Sequence, residues 1–186
     1  MGDVTAAQIV IILIAGVVAG LVNTLAGGGS FLTLAALEYA GLNILVANGT
    51  NRVAIEVQNI MAVLGFRSKG VSDWRKSLHF AIPALFGAVL GAYTVSNLQK
   101  VVFYRVMGVA MLMMLAILIL NPKKWLENRQ IEFTRGRRII GYFVFVAVGF
   151  YGGAIQAGVG FLLIAALVLI AGLDLVRTNS HKVFIV

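Results

Sequence analysis

Four long apolar runs set the pattern of the chain: residues 9–26, 78–96, 101–120 and 139–155. A hydrocarbon layer about 30 Å thick is crossed by roughly 20 apolar residues in helix, and these runs reach or approach that length. None alternates with period two, so helices are expected and a barrel is not. Two further segments, residues 30–42 and 161–173, resume directly after glycine clusters. At about 13 residues each they are too short to span as helices. The predicted class is therefore all-α, a polytopic membrane protein with glycine-broken helices.

Composition strengthens this reading. Sixty per cent of the residues are hydrophobic and 12% are charged, more apolar surface than a soluble core of this size hides. Lipid is the expected partner. Cysteine is absent, which removes disulfides, thiolate chemistry and cysteine-based metal sites. No metal and no cofactor is expected. The first run has no basic flank before it and no evident cleavage site after it, so it reads as a retained helix.

The net charge of +8 does not indicate nucleic acid, because the cations cluster in two loops. Arg67, Lys69, Arg75 and Lys76 share residues 67–77; Lys123, Lys124, Arg129, Arg135, Arg137 and Arg138 share residues 121–138. Both are expected to face the cytoplasm from the plasma membrane, with two spans and a short turn at residues 97–100 between them.

The chain also repeats itself at a spacing near 130 residues. Residues 28–37 (GGSFLTLAAL) align with 158–167 (GVGFLLIAAL), matching at Gly, Phe, Leu, Ala, Ala and Leu. Ala40-Gly41-Leu42-Asn43 aligns with Ala171-Gly172-Leu173-Asp174, and Asn51-Arg52-Val53 with His181-Lys182-Val183. A first repeat over residues 1–120, a basic cytoplasmic loop over 121–138 and a second repeat over 139–186 follow. The second stops inside an apolar helix, so the chain is expected to be incomplete. An acidic, lysine-free N-terminus set against a second repeat that starts from basic residues favours an inverted arrangement.

The motif Asn23-Thr24-Leu25-Ala26-Gly27-Gly28-Gly29-Ser30-Phe31, the later Gly49-Thr50-Asn51-Arg52, and their counterparts Ala157-Gly158-Val159-Gly160-Phe161 and Thr178-Asn179-Ser180-His181-Lys182 resemble those of the sulfite exporter TauE/SafE family over the whole chain. That resemblance implies a multi-pass membrane protein with two homologous halves, moving sulfite, sulfoacetate or related organosulfur anions.

Short, glycine-interrupted segments at matching repeat positions are where transporters place their substrate. Backbone amides freed at a break, beside a half-helix N-terminus, suit an anion. Gly27, Gly28, Gly29 and Ser30, with Gly158 and Gly160, are the backbone candidates, whereas Gly16 with Gly20 and Gly87 with Gly91 read as close-packing faces. Arg52 and Lys182 occupy equivalent positions, and a pseudo-twofold axis would bring these cations together around a divalent or strongly hydrated anion. Asn51, Asn179, Ser180 and His181, with Asn48, supply neutral hydrogen bonds; Asn23 and Gln156 flank the breaks. Glu56, four residues after Arg52, has two readings: a carboxylate coupling transport to protons or another ion, or a static counter-ion for Arg52. His79, Trp74, Trp125 and Tyr142 read as interfacial groups.

The function expected is a secondary carrier, or permease, for small anions. A passive anion channel uses the same features. An intramembrane serine hydrolase with Ser30 as nucleophile and His181 as base is the enzyme alternative, and a non-transporting assembly subunit is the third. The particular anion, the direction of transport and the oligomeric state are not encoded in these features.

Overall fold

The first apolar run folds as α1 (Ala6–Leu25), started by a Thr5 capping box in which Thr5 and Gln8 bond each other's backbone amides. Such reciprocal caps satisfy donors that a helix start leaves open. In the computed structural model, which describes residues 5–96, 98–119 and 135–186, the remaining elements are α2 (Ser30–Tyr39), α3 (Ile44–Ser68), α4 (Trp74–Ser96), α5 (Lys100–Ile119), α6 (Arg135–Ala154), α7 (Val159–Ala171) and α8 (Leu175–Ile185). All regular structure among the described residues is helical, as the sequence pattern requires. Lys123, Lys124, Trp125, Arg129 and Asn97 lie outside the described residues.

α1 and α4 are long and apolar enough to cross a membrane. α1 turns Leu13, Val17, Leu21 and Leu25 outward, where they are exposed among the described residues. α2, at 10 residues, is shorter than its apolar run because Gly41, at φ +93°, ends it early. α6 starts at Arg135, so Arg135, Arg137 and Arg138 form its first turn rather than a loop.

Two turns share one construction. Gly41 and Gly172 both adopt positive φ, and the next helix is then capped by Asn43 or Asp174, whose side chain accepts two backbone N–H bonds at 3.0–3.1 Å. Glycine adopts that backbone conformation without the steric cost of a Cβ, and Asn and Asp are preferred N-caps.

α4 and α6 run side by side in the same direction. A Cβ placed on Gly87 would strike the Val146 carbonyl, one on Gly91 the Phe150 carbonyl, and Cβ atoms on Gly149 and Gly153 would strike Ala84 and Ala88. Small residues on both helices let the backbones touch, the packing expected of apolar helices in lipid. Gly16 and Gly20 differ from the expectation, since the space beside each is open within the described residues. Gly20 is used through its carbonyl, which accepts from Gln58 Nε2.

This register fixes the ends. The starts of α4 and α6 lie together, where the Tyr142 hydroxyl and His79 Nε2 are 2.9 Å apart and the Arg75 guanidinium covers Trp74. α1 begins at the opposite end: its Gln8 reaches the Tyr39 carbonyl, and α3, which starts five residues after Tyr39, finishes next to the start of α4. α1 and α6 therefore start from opposite ends.

Candidate functional site

The two breaks meet. Gly27, at φ +90°, lies with its backbone against Gly160, and a Cβ on either would overlap the other's Cα. Gly28 is covered by the Phe161 ring, and Gly29 sits on the Ala19 backbone. Gly158 caps α7 in the left-handed conformation at φ +77°. At Gly27 glycine is required by both the backbone angle and the approach, and at Gly160, inside α7, by the approach alone.

Beside this crossing is a cavity of about 20 Å³ lined by Asn23, Gly27, Ser30, Ile55, Asn59, Gln156, Val159, Gly160, Lys182 and Val186. It unites six residues expected from the sequence: Asn23, Gly27, Ser30, Gln156, Gly160 and Lys182. It contains one cation and no side-chain carboxylate. A second cavity of about 150 Å³ holds Arg52 with Gly152, Gly153 and Gln156, so Gln156 borders both. Gln156 has φ +65°, a conformation that a non-glycine residue adopts at a cost, and its Oε1 has no protein partner; Asn59 Nδ2, in the first cavity, likewise has none.

Lys182 is 2% exposed. Its Nζ donates to the Asn23 carbonyl, the Thr24 carbonyl and Asn179 Oδ1, each at 2.8 Å. The three bonds use every donor of the ammonium and place it on the C-terminal end of α1, where helix carbonyls lack partners and a cation is favoured. Without them a buried ammonium would be strongly unfavourable. Arg52 does the same for α6: Nη2 donates to the Gly153 carbonyl at 2.6 Å. The two cations thus serve two helix ends and two cavities, instead of converging on one point as their equivalent positions suggested.

Asn23 Oδ1 accepts from the Ser30 amide at 3.1 Å and from its hydroxyl at 3.4 Å, which ties the end of α1 to the start of α2. The Thr33 hydroxyl lies between the Ser30 carbonyl and the Asn51 amide. Asn51 and Asn48 are buried on α3, with Asn51 Nδ2 and Asn48 Oδ1 unpartnered. Ser180 is buried on α8 outside both cavities.

Glu56 makes no ion pair with Arg52. It is exposed and lines a groove of about 230 Å³ between α3 and α8 that shares Asn59 with the first cavity. The counter-ion reading of Glu56 is therefore not what the fold adopts.

The serine–histidine dyad is not assembled. Ser30 faces Asn23, while His181 Nδ1 is 2.7 Å from Ser77 Oγ, whose single proton also has the Asp73 carbonyl to satisfy at 3.0 Å. The His181 Nδ1 is thus engaged by Ser77 and not by Ser30. Sequence reading missed Ser77, which no motif flags. It also missed Asn59, although the spacing of Asn48, Asn51, Ile55 and Asn59 puts all four on one face of α3.

Long apolar helices around a polar cavity, beside which the backbones of Gly27 and Gly160 touch, fit a helical membrane protein of the transporter class. The chain belongs to the sulfite exporter TauE/SafE family, whose sequence pattern it matches over residues 12–186. It is similar to proteins named "Probable membrane transporter protein": one from Haemophilus influenzae, 25% identical over 96% of this chain and 69% of the relative; YfcA from Escherichia coli K12, 31% identical over 88% of this chain and 60% of the relative; and ORF9 from Sinorhizobium, 24% identical over 100% of this chain and 70% of the relative. The chain thus spans 60–70% of the length of these relatives. No solved structure matches it significantly.

Proposed function

We propose that this chain forms the substrate-binding part of a secondary carrier for small oxyanions, with sulfite and organosulfur anions such as sulfonates as the cargo class. Its two halves are related by an inverted repeat, it crosses the plasma membrane several times, and its basic ends face the cytoplasm. The observation that carries the reading is the cavity at the crossing of the two breaks. It offers one ammonium, the Asn59 Nδ2 donor without a partner among the described residues, the Gln156 amide, a serine and glycine backbone, and no side-chain carboxylate. That donor set selects negative charge, and the half-helix starts of α2 and α7 add to it.

Support for inversion comes from the opposed entry of α1 and α6 and from the matching Gly41–Asn43 and Gly172–Asp174 turns. The size of the cavity favours a carrier over a channel. About 20 Å³ holds a water molecule and no sulfur oxyanion, so loading requires the helices to part, as alternating access does and an open pore does not. Glu56, next to Asn59 in the adjoining groove, is the candidate for coupling to protons or another ion.

The test is counterflow of labelled sulfite in liposomes bearing the full-length protein, with sulfate, sulfoacetate and chloride as competitors. Saturable counterflow that falls in Asn59→Leu is expected. Linear, unsaturated flux would favour a channel; no flux of any of these anions in folded protein would overturn the cargo class.

A further inference from the structure

The two cation contacts are the same contact made twice. Lys182 holds the carbonyl of Asn23, and Arg52 holds the carbonyl of Gly153. Arg52 and Lys182 are 130 positions apart, and so are Asn23 and Gly153, which is the spacing of the repeat. Each cation therefore reaches across to the helix end of the other half, and the exchange is reciprocal.

The two contacts also lie toward opposite faces. α1 ends toward the side of the basic loops, where His181, next to Lys182, meets Ser77 near the start of α4. α6 ends toward the other side, where Gly153 packs on Ala88, more than halfway along α4. Between them the cavities share Gln156, Val159 and Val186.

We propose that Lys182 and Arg52 are a matched pair of positioning residues for transport, each closing the central cavity toward one face of the membrane by latching the other half's broken helix. The proposal rests on the transporter reading above and deepens it. In this structure both latches are made and the cavity beside Lys182 is narrowed to about 20 Å³. An anion that enters beside Lys182 finds all three ammonium donors occupied. It can bind that ammonium only by displacing one of three acceptors, two of which are α1 carbonyls, and displacing either of those two loosens the α1 latch. Differential interaction of this kind is what a ligand needs to shift a conformational equilibrium.

Residues 1–186 contain no cysteine, so with any cysteine elsewhere in the full-length protein replaced by serine, a single Val159→Cys reports on both cavities. The full-length protein in membrane vesicles of each orientation is treated with a membrane-impermeant thiol reagent, without any cargo. Labelling is expected to be slow from both faces in Val159→Cys alone. Adding Lys182→Met speeds labelling from the basic-loop face by about tenfold or more, and adding Arg52→Met does so from the opposite face. Lys182→Arg and Arg52→Lys keep it slow. If Lys182→Met does not fold, Lys182→Gln, which keeps one donor, gives a smaller change from the same face. Acceleration from the same face in both variants, or from neither face in folded protein, overturns the proposal. Because the readout needs no anion, opposite-sided labelling together with absent counterflow would sink the cargo reading and leave the latches standing.

Discussion

The latch on α1 and the latch on α6 do equivalent work with unequal means. Lys182 is buried and spends three hydrogen bonds of 2.8 Å on two carbonyls and an amide. Arg52 is half-buried and sends one bond of 2.6 Å to one carbonyl. The surroundings explain the imbalance. α6 is already fixed along its length by glycine-on-backbone packing against α4, whereas α1 has an outer face that is exposed among the described residues. The end with less packing has the stronger polar anchor.

Removing each latch breaks the comparison most directly. Lys182→Met leaves two buried helix-end carbonyls and Asn179 without their donor and should lower stability by about 3 kcal/mol, with Arg52→Met costing about 1 kcal/mol. Thermal unfolding in detergent measures both, and equal losses would contradict the assignment of unequal anchors.

Backbone contacts come next. Gly153→Ala should cost about 2–3 kcal/mol because its methyl meets the Ala88 backbone, while Gly16→Ala, facing open space, should be neutral or slightly stabilising. A similar loss at both positions would mean that α1 has a packing partner on that face.

A smaller effect of opposite sign is expected at the break itself. Gln156→Gly removes the strain of φ +65° and should raise stability by about 1 kcal/mol, while anion counterflow falls because an amide of the cavity is lost. Unchanged transport would make Gln156 a spacer.

The smallest effect concerns the basic end. Asp73 is held below the ordinary carboxylate range, first by the hydrogen bond from the Lys76 backbone amide, with further help from the Lys76 ammonium at 3.3 Å. A depressed acid stabilises the fold above its unfolded value near 3.8 and loses that contribution as pH falls through the lower folded value. Solvent screens this exposed pair, so Asp73→Asn should cost a few tenths of a kcal/mol at pH 7, and nothing measurable near pH 2.

How much of this was legible in the sequence follows from the type of signal. The helical class is written in hydropathy, which is local, and the glycine clusters and the alignment of Arg52 with Lys182 can be read directly from the residues. Six cavity residues were found because they flank the breaks or recur at the repeat spacing. Asn59 was not, since its counterpart 130 positions on falls outside the sequence; only its place on the Asn48–Asn51 face marks it. The targets of the two cations were not legible at all. A bond from Arg52 to the Gly153 carbonyl depends on a backbone group that every residue has, and no side-chain pattern announces which carbonyl will be left open in three dimensions.

The glycine packing of α4 on α6 has a mechanical consequence. Contacts between backbones have no rotamers with which to absorb displacement, and the attraction between close-packed atoms fades within a fraction of an ångström. Such a pair cannot creep; it either stays in register or separates. Two parallel helices of about 30 Å joined in this way behave as a single stiff beam, and a force applied at one end reaches the other with little loss to bending.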